Sequence, residues 1–267
     1  MKCREIMPYA FLGVGLALPI SASGNWVTEA ANPSVKEFDG TAPKRREDRE
    51  IDRRDQVTIR RIKPQCRSDW NNDPTALPQF FYQIQQRTKG VFPVYVDNSG
   101  IELLGDEIFD YPIIYFTSHY PFTFTDEEVE NLKKYLARGG TLWLDDCTGS
   151  GPFMDSVYPN VQRIVPGAEM RLMGRGTKEF FDFFNMIYEV DGLPHISDYH
   201  VKPFQAAYVN GRPAIIFCPN DYGCGWEVSV PPTAINPLGE GAHGWSAPIR
   251  EKVFQLSINW LFYSLTH

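Results

Sequence analysis

The segment from Tyr111 to Gly151 constrains the fold most, because it reads as strand, capped helix and strand in unbroken succession. Ile113-Ile114-Tyr115-Phe116 and Thr141-Leu142-Trp143-Leu144 are short apolar runs of the kind a parallel sheet buries on both faces. Between them Thr125 and Glu128 have the spacing of a capping box. Asp126 and Glu127 suit the positive end of the helix they open. Val129, Leu132 and Leu136 recur at helical spacing, and Gly139-Gly140 supply a left-handed stop after Arg138. A strand, helix and strand in this order form a right-handed crossover. The loop carrying His119 and the loop carrying Asp145 to Cys147 must then open on one edge of the sheet.

The rest of the chain supports one domain of that kind. At 267 residues, 43% hydrophobic and 14% aromatic, it can bury a large core. The expected class is α/β, a doubly wound and mostly parallel sheet with helices on both faces. Val57 to Ile62 alternates as an edge strand would, and Asp73-Pro74 suits a helix opening with the carboxylate as N-cap. Leu77, Phe80, Phe81 and Ile84 supply that helix's buried face, Gly90 ends it, and Val94-Tyr95-Val96 follows as a short strand. Further on come a helix candidate around Phe180 to Phe184, a strand from Ala214 to Phe217, and a closing helix from Pro248 to about Leu265. Ile249, Val253, Leu256 and Trp260 line the apolar face of that last helix.

Residues 1–23 have the form of a secretory signal peptide. Lys2 and Arg4 precede an apolar run from Ile6 to Ile20, and Ser21, Ala22 and Ser23 suit cleavage. The run is short for a spanning helix, which needs roughly 20 apolar residues, and Pro8, Gly13, Gly15 and Pro19 weaken it further. Export to the periplasm or beyond the cell is expected, with no stable membrane span after cleavage. Cys3 lies before the run and cannot be a lipoprotein cysteine. Residues 24–56 form a charged flexible linker, dense in mixed charge from Lys44 to Asp55, and the compact domain is expected over 57–267.

A net charge of −7 and the lack of a basic stretch interleaved with aromatics argue against a nucleic-acid partner. Four cysteines follow the leader: Cys66, Cys147, Cys218 and Cys224. An oxidising compartment permits disulfides among them in three connectivities, and nothing in the spacing chooses one. With no C-x-x-C and five histidines, local spacing signals no structural zinc site. No cofactor is expected, and no metal is specified.

Three strand ends converge on a candidate site. They carry Thr117-Ser118-His119, Asp145-Asp146-Cys147, and the run from Cys218 through Asn220, Asp221, Cys224 and Trp226 to Glu227. Histidine is the side-chain type suited to proton transfer near neutrality, which makes His119 a candidate base; Cys147 has a nucleophilic side chain, and the carboxylates could orient an imidazole or bind a metal. His119, Asp146 and Cys147 are therefore the catalytic candidates. Trp70, Asn72, Asp73, Asp145, Asn220, Asp221, Trp226 and Glu227 are the ligand-binding candidates. Each has a structural alternative: a strand-end cysteine packs as a small hydrophobe or pairs in a disulfide, paired aspartates cap turns, and large aromatics close a core edge.

Trp70-Asn71-Asn72-Asp73-Pro74, Tyr111-Pro112, Thr117-Ser118-His119, Leu144-Asp145-Asp146-Cys147 and Asn220 to Glu227, as a set and in this order, resemble the DUF4159 family from about Val57 to the C-terminus. That resemblance implies a class I glutamine amidotransferase-like scaffold, flavodoxin-like in its doubly wound sheet, and carries no established activity. Catalytic members of the wider fold hold a cysteine in a G-x-C-x-G turn. Cys147 and Gly149 match the cysteine and the second glycine, while Asp145 stands where the first glycine should be. A carboxylate there raises the thiol pKa, against what a nucleophile needs. The expected function is a non-catalytic module binding a small ligand, a glycan or an envelope protein. The alternative is a hydrolase using His119 with Asp146 and either Cys147 or a metal-bound water.

Overall fold

A computed structural model describes residues 56–148, 151–173, 183–194 and 202–267. The first crossover runs from β1 (Ile59–Lys63) through α1 (Ala76–Thr88) to the short β2 (Ile101–Glu102). The second runs from β3 (Ile113–Ser118) through α2 (Asp126–Ala137) to β4 (Thr141–Asp146). Then follow α3 (Pro152–Ile164), β5 (Arg171–Met173), β6 (Phe204–Val209), β7 (Arg212–Cys218) and the single turn α4 (Tyr222–Trp226). The small ribbon of β8 (Val228–Val230) and β9 (Glu240–Gly241) precedes α5 (Ala247–Thr266).

The main sheet has seven strands in the order β2-β1-β3-β4-β7-β6-β5. The pairs from β2 to β7 are parallel, and β6 and β5 are added antiparallel at one edge. The chain leaves β1 toward one neighbour and β3 toward the other, so the order reverses between these two strands. In open α/β sheets ligands lie beyond the strands' carboxyl ends at such a switch point.

Period-two alternation divides the strands between two cores. Ile113, Tyr115 and Trp143 pack with α1 and α5, whereas Ile114, Phe116, Leu142 and Leu144 pack with α2 and α3. Helices therefore cover both faces, and the fold is the doubly wound α/β class the sequence implies. Helix α5 is seated by Trp260, which stacks on Trp143 with centroids 3.8 Å apart. The Trp143 indole N–H donates to Ser264 at 2.9 Å. No helix among the described residues is long and apolar enough to cross a membrane.

The capping box forms as expected. The Glu128 backbone donates to Thr125 Oγ1 at 3.2 Å, and the Thr125 backbone donates to Glu128 Oε2 at 2.8 Å. Gly139 provides the left-handed stop at φ +98°. Gly140 lies against the Tyr135 ring, 2.2 Å from where its β-carbon would stand. Three local expectations fail. β1 is an interior strand rather than an edge, lying between β2 and β3 with Arg60 and Arg61 buried within it. Arg60 pairs with Asp97 at 2.5 Å, and Arg61 donates to the carbonyls of Trp70 and Asp73. Helix α1 starts two residues later than expected, with Thr75 rather than Asp73 at the N-cap. Val94 to Val96 contributes only an isolated parallel bridge from Val94 to Val57.

The leader at 1–23, nearly all of the linker at 24–56, Gly149 and residues 180–182 of the phenylalanine-rich helix candidate lie outside the described residues. Phe183 and Phe184 of that candidate are buried in the first core.

Candidate functional site

The loop after β1 brings Asp69 against the end of β3. Its Oδ1 accepts from the Ser118 hydroxyl at 2.7 Å and from the His119 backbone N–H at 2.9 Å, and its Oδ2 lies 2.6 Å from His119 Nδ1. A carboxylate only accepts, so in the neutral imidazole this contact puts the proton on Nδ1 and leaves Nε2 as the acceptor. Nε2 lies 3.3 Å from the Cys147 Sγ. The Asn72 amide nitrogen is 3.3 Å from Nδ1. Burial alone would lift the Asp69 carboxyl, but hydrogen bonds from Ser118 and His119 outweigh it and hold the pKa below its usual value. The imidazole is about half exposed, with 48% of its side-chain surface open, whereas Cys147 is 4% exposed. A solvent-reachable imidazole held by Asp69 thus stands against a buried thiol at the carboxyl ends of the strands.

Behind Cys147 lies a buried polar floor. Its Sγ is 3.6 Å from Asp73 Oδ2 and 3.8 Å from Cys224 Sγ, and Cys224 Sγ is 3.6 Å from Asp73 Oδ1. Asp221 completes the group: one ligand atom from each of Asp73, Cys147, Asp221 and Cys224 lies within 4.8 Å of all the others. The local chain dictates this convergence. Asp221 adopts the left-handed conformation at φ 58° and accepts from the Cys224 N–H at 3.4 Å, opening the single turn α4 that carries Cys224 inward. Gly223 in that turn has no room for a side chain, since a β-carbon would stand 2.8 Å from both Asp73 Oδ2 and Tyr115 Oη.

Electrostatics in the floor run against ionisation. Burial raises the Asp73 carboxyl, with Arg61 pulling the other way, and raises Asp221 well above the usual range with help from the charges of Asp145 and Asp73. The contact with Cys224 favours the Cys147 thiolate, but burial and the carboxylates of Asp73, Asp221 and Asp145 outweigh it, and the thiol is pushed up to about 12. The Cys224 thiol is also raised, first by its contact with Cys147 and then by burial. All four groups are therefore held toward their protonated forms.

Asp145 and Asp146 part company because successive strand residues face opposite ways. Asp145 accepts from the Tyr115 hydroxyl at 2.9 Å and from the backbones of Gly223 at 2.7 Å and Tyr222 at 3.2 Å. Burial raises its pKa to about 6 in spite of these bonds. Asp146 accepts from the Thr148 backbone at 3.1 Å and hydroxyl at 2.8 Å. The residue that orients His119 is Asp69, in place of the expected Asp146. Glu227 sits beside Asp73 on the other hand of the floor and pairs with His243 at 2.8 Å, a bond that raises the His243 pKa.

The remaining candidates have structural employment. Trp226 is fully buried, stacked on Phe80 at 4.9 Å, with its indole N–H donating to Ser257 at 2.8 Å. Its ring is closed to a sugar. Asn220 clamps the Lys202 backbone, accepting at 2.9 Å and donating at 2.8 Å. Trp70 is half-buried under Lys63, whose Nζ lies 5.6 Å from the ring centroid. Asp69 and His243 were missed in the sequence reading, whereas Cys224 entered it within the run from Asn220 to Glu227 and as a possible disulfide partner of Cys147.

The arrangement can move a proton at His119, and the buried floor behind it offers two sulfurs and two carboxylates to a cation. A family model described as Domain of unknown function (DUF4159) matches residues 58–265. No curated protein matches the chain.

Proposed function

The chain belongs to the DUF4159 family, and we propose that its domain is a hydrolase in which His119, oriented by Asp69, serves as the general base. The supporting observation is the continuous contact from Asp69 Oδ2 through the His119 ring to Cys147 Sγ, at 2.6 and 3.3 Å. It sits at the reversal between β1 and β3, where this fold class binds ligands. A base whose tautomer is set by a carboxylate and whose other nitrogen is left as an acceptor is the pairing general-base catalysis requires.

The attacking group in this proposal is water. The Cys147 thiol, at about 12 and almost fully buried, is a poor nucleophile near neutrality. Water oxygen bonds to the electrophilic carbon or phosphorus as its proton passes to His119 Nε2. The bond to the leaving group then breaks, and Nε2 returns the proton to it. Leader-directed export would make the enzyme periplasmic or extracellular. An intact mass lacking about the first 23 residues, in protein from the envelope fraction, checks that placement, and a full-length mass contradicts it.

The raised thiol, together with Asp145 in place of a turn glycine, supports a second reading. In it the same site binds a small ligand, a glycan or an envelope protein without turnover. Chromogenic esters, phosphomonoesters and amides offered to the wild type and to Asp69→Asn separate the two. Turnover in the wild type that falls in the variant supports the hydrolase. Retention of a ligand without turnover supports the binding module.

A further inference from the structure

We propose that Asp73, Cys147, Asp221 and Cys224 form a closed, four-coordinate site for one divalent ion of the zinc class, which ties the loop before α1 to the ends of β4 and β7. This site goes beyond the hydrolase reading and does not depend on it.

The spacing carries the argument. Zinc binds sulfur at about 2.3 Å and carboxylate oxygen at about 2.0–2.2 Å in tetrahedral geometry. The edges of such a tetrahedron are about 3.8 Å between two sulfurs and about 3.6 Å between sulfur and oxygen. The two sulfurs here are 3.8 Å apart, and from the single oxygen Asp73 Oδ1 they lie 3.9 Å (Cys147) and 3.6 Å (Cys224). The triangle these three atoms close is of the size that a tetrahedral zinc-class ion spans. Asp221 brings the fourth donor within the same 4.8 Å group.

The donor chemistry selects the ion. Two thiolates favour zinc-class metals, while magnesium and calcium take oxygen shells of six or more ligands. Two thiolates and two carboxylates carry the same formal charge as the four thiolates of a common structural zinc site. All four residues are buried, as a structural centre requires. Gly223 preserves the space, because any β-carbon there would intrude on the Asp73 carboxylate. Four protein ligands leave no open position, so the ion's work is to hold three segments together.

Binding displaces the protons of Cys147 and Cys224 to solvent as two metal–sulfur bonds form, the usual coupling of metal uptake to proton release. As a metal-bound thiolate, Cys147 no longer donates to His119. Nε2 is thereby left to accept from water.

The test uses the full chain purified without added metal or metal-affinity resin, with metal content measured by elemental mass spectrometry. About one zinc-class ion per chain is expected. Cobalt added to metal-stripped protein should give the sulfur-to-cobalt charge-transfer absorption of thiolate ligation, a readout that needs no variant to fold. Cys147→Ser with Cys224→Ser should abolish that band, while His119→Ala should keep both band and metal. A metal content near zero, a thiolate band that survives in the double cysteine variant, or a Cys147–Cys224 disulfide in non-reduced protein would overturn the proposal. Metal bound without hydrolysis of any substrate leaves this site standing and removes the hydrolase, and hydrolysis by a metal-free chain does the reverse.

Discussion

Asp69 grips His119 at two points, its Oδ1 accepting the backbone N–H at 2.9 Å and its Oδ2 facing Nδ1 at 2.6 Å. This double contact fixes both where the imidazole sits and which nitrogen carries its proton. Asp69→Asn keeps the shape but can present an amide N–H to Nδ1. Nitrogen NMR of the ring should therefore show the Nδ1–H tautomer in the wild type and a shift toward Nε2–H in the variant. An unchanged tautomer would show that Asp69 does not set it.

Gly223 makes a sharper test of the buried floor. Gly223→Ala puts a carbon 2.8 Å from the Asp73 carboxylate and from Tyr115 Oη, neither of which can retreat from a packed interior. Overpacking of this kind costs about 1–3 kcal/mol. Chemical denaturation should show that loss. A variant as stable as the wild type would mean that the floor is looser than these distances state.

Gly140→Ala probes the junction of α2 and β4. The new β-carbon would meet the Tyr135 ring at 2.2 Å, and Tyr135 is tied down by donating to the carbonyls of Tyr111 at 3.0 Å and Thr141 at 3.3 Å. Displacing the ring breaks these bonds as well, so a loss of roughly 1–3 kcal/mol is expected by denaturant titration. Gly139→Ala meets no neighbouring atom and should be destabilised only through its positive φ.

The ion pair joining α1 to α5 predicts a pH dependence of fixed sign. Arg87 donates to both Glu251 oxygens at 2.8 and 2.6 Å, and this bond is the main reason the Glu251 pKa is lowered. A carboxylate whose folded pKa is depressed contributes stability above its unfolded value, about 4.3. That contribution is lost as pH falls through the folded pKa. Between neutrality and acid, Glu251→Gln should lose less stability than the wild type. Parallel curves would show that the pair contributes nothing, as exposed pairs often do.

The sequence made the β3, α2 and β4 unit legible because its signals are local. The capping box spans four residues, the stop is Gly139-Gly140, and the strands are apolar runs. β1 was misjudged because Arg60 and Arg61 look like solvent-facing residues, and only the tertiary structure supplies Asp97 and the carbonyls that allow their burial. Asp73 was read from the sequence both as a helix cap and as a ligand-binding residue, and only the capping role fails: Thr75 stands at the N-cap while the cluster claims the Asp73 side chain. Of the site, the three converging strand ends were readable and the pairings were not. Asp69 lies 50 positions from His119 and Cys147 lies 77 from Cys224. No spacing rule links residues so far apart. The alternation that separates Asp145 from Asp146 was available in the sequence, since β4 was already recognised as a strand.

The most direct test of the account is turnover by His119→Ala against the wild type, on whichever substrate of the panel the wild type hydrolyses and at matched thermal stability. The imidazole is half exposed and outside the packed core, so its loss should leave folding intact. The account predicts that kcat/KM falls by about 100-fold or more, the range a positioned general base supplies. Turnover equal to the wild type would contradict it.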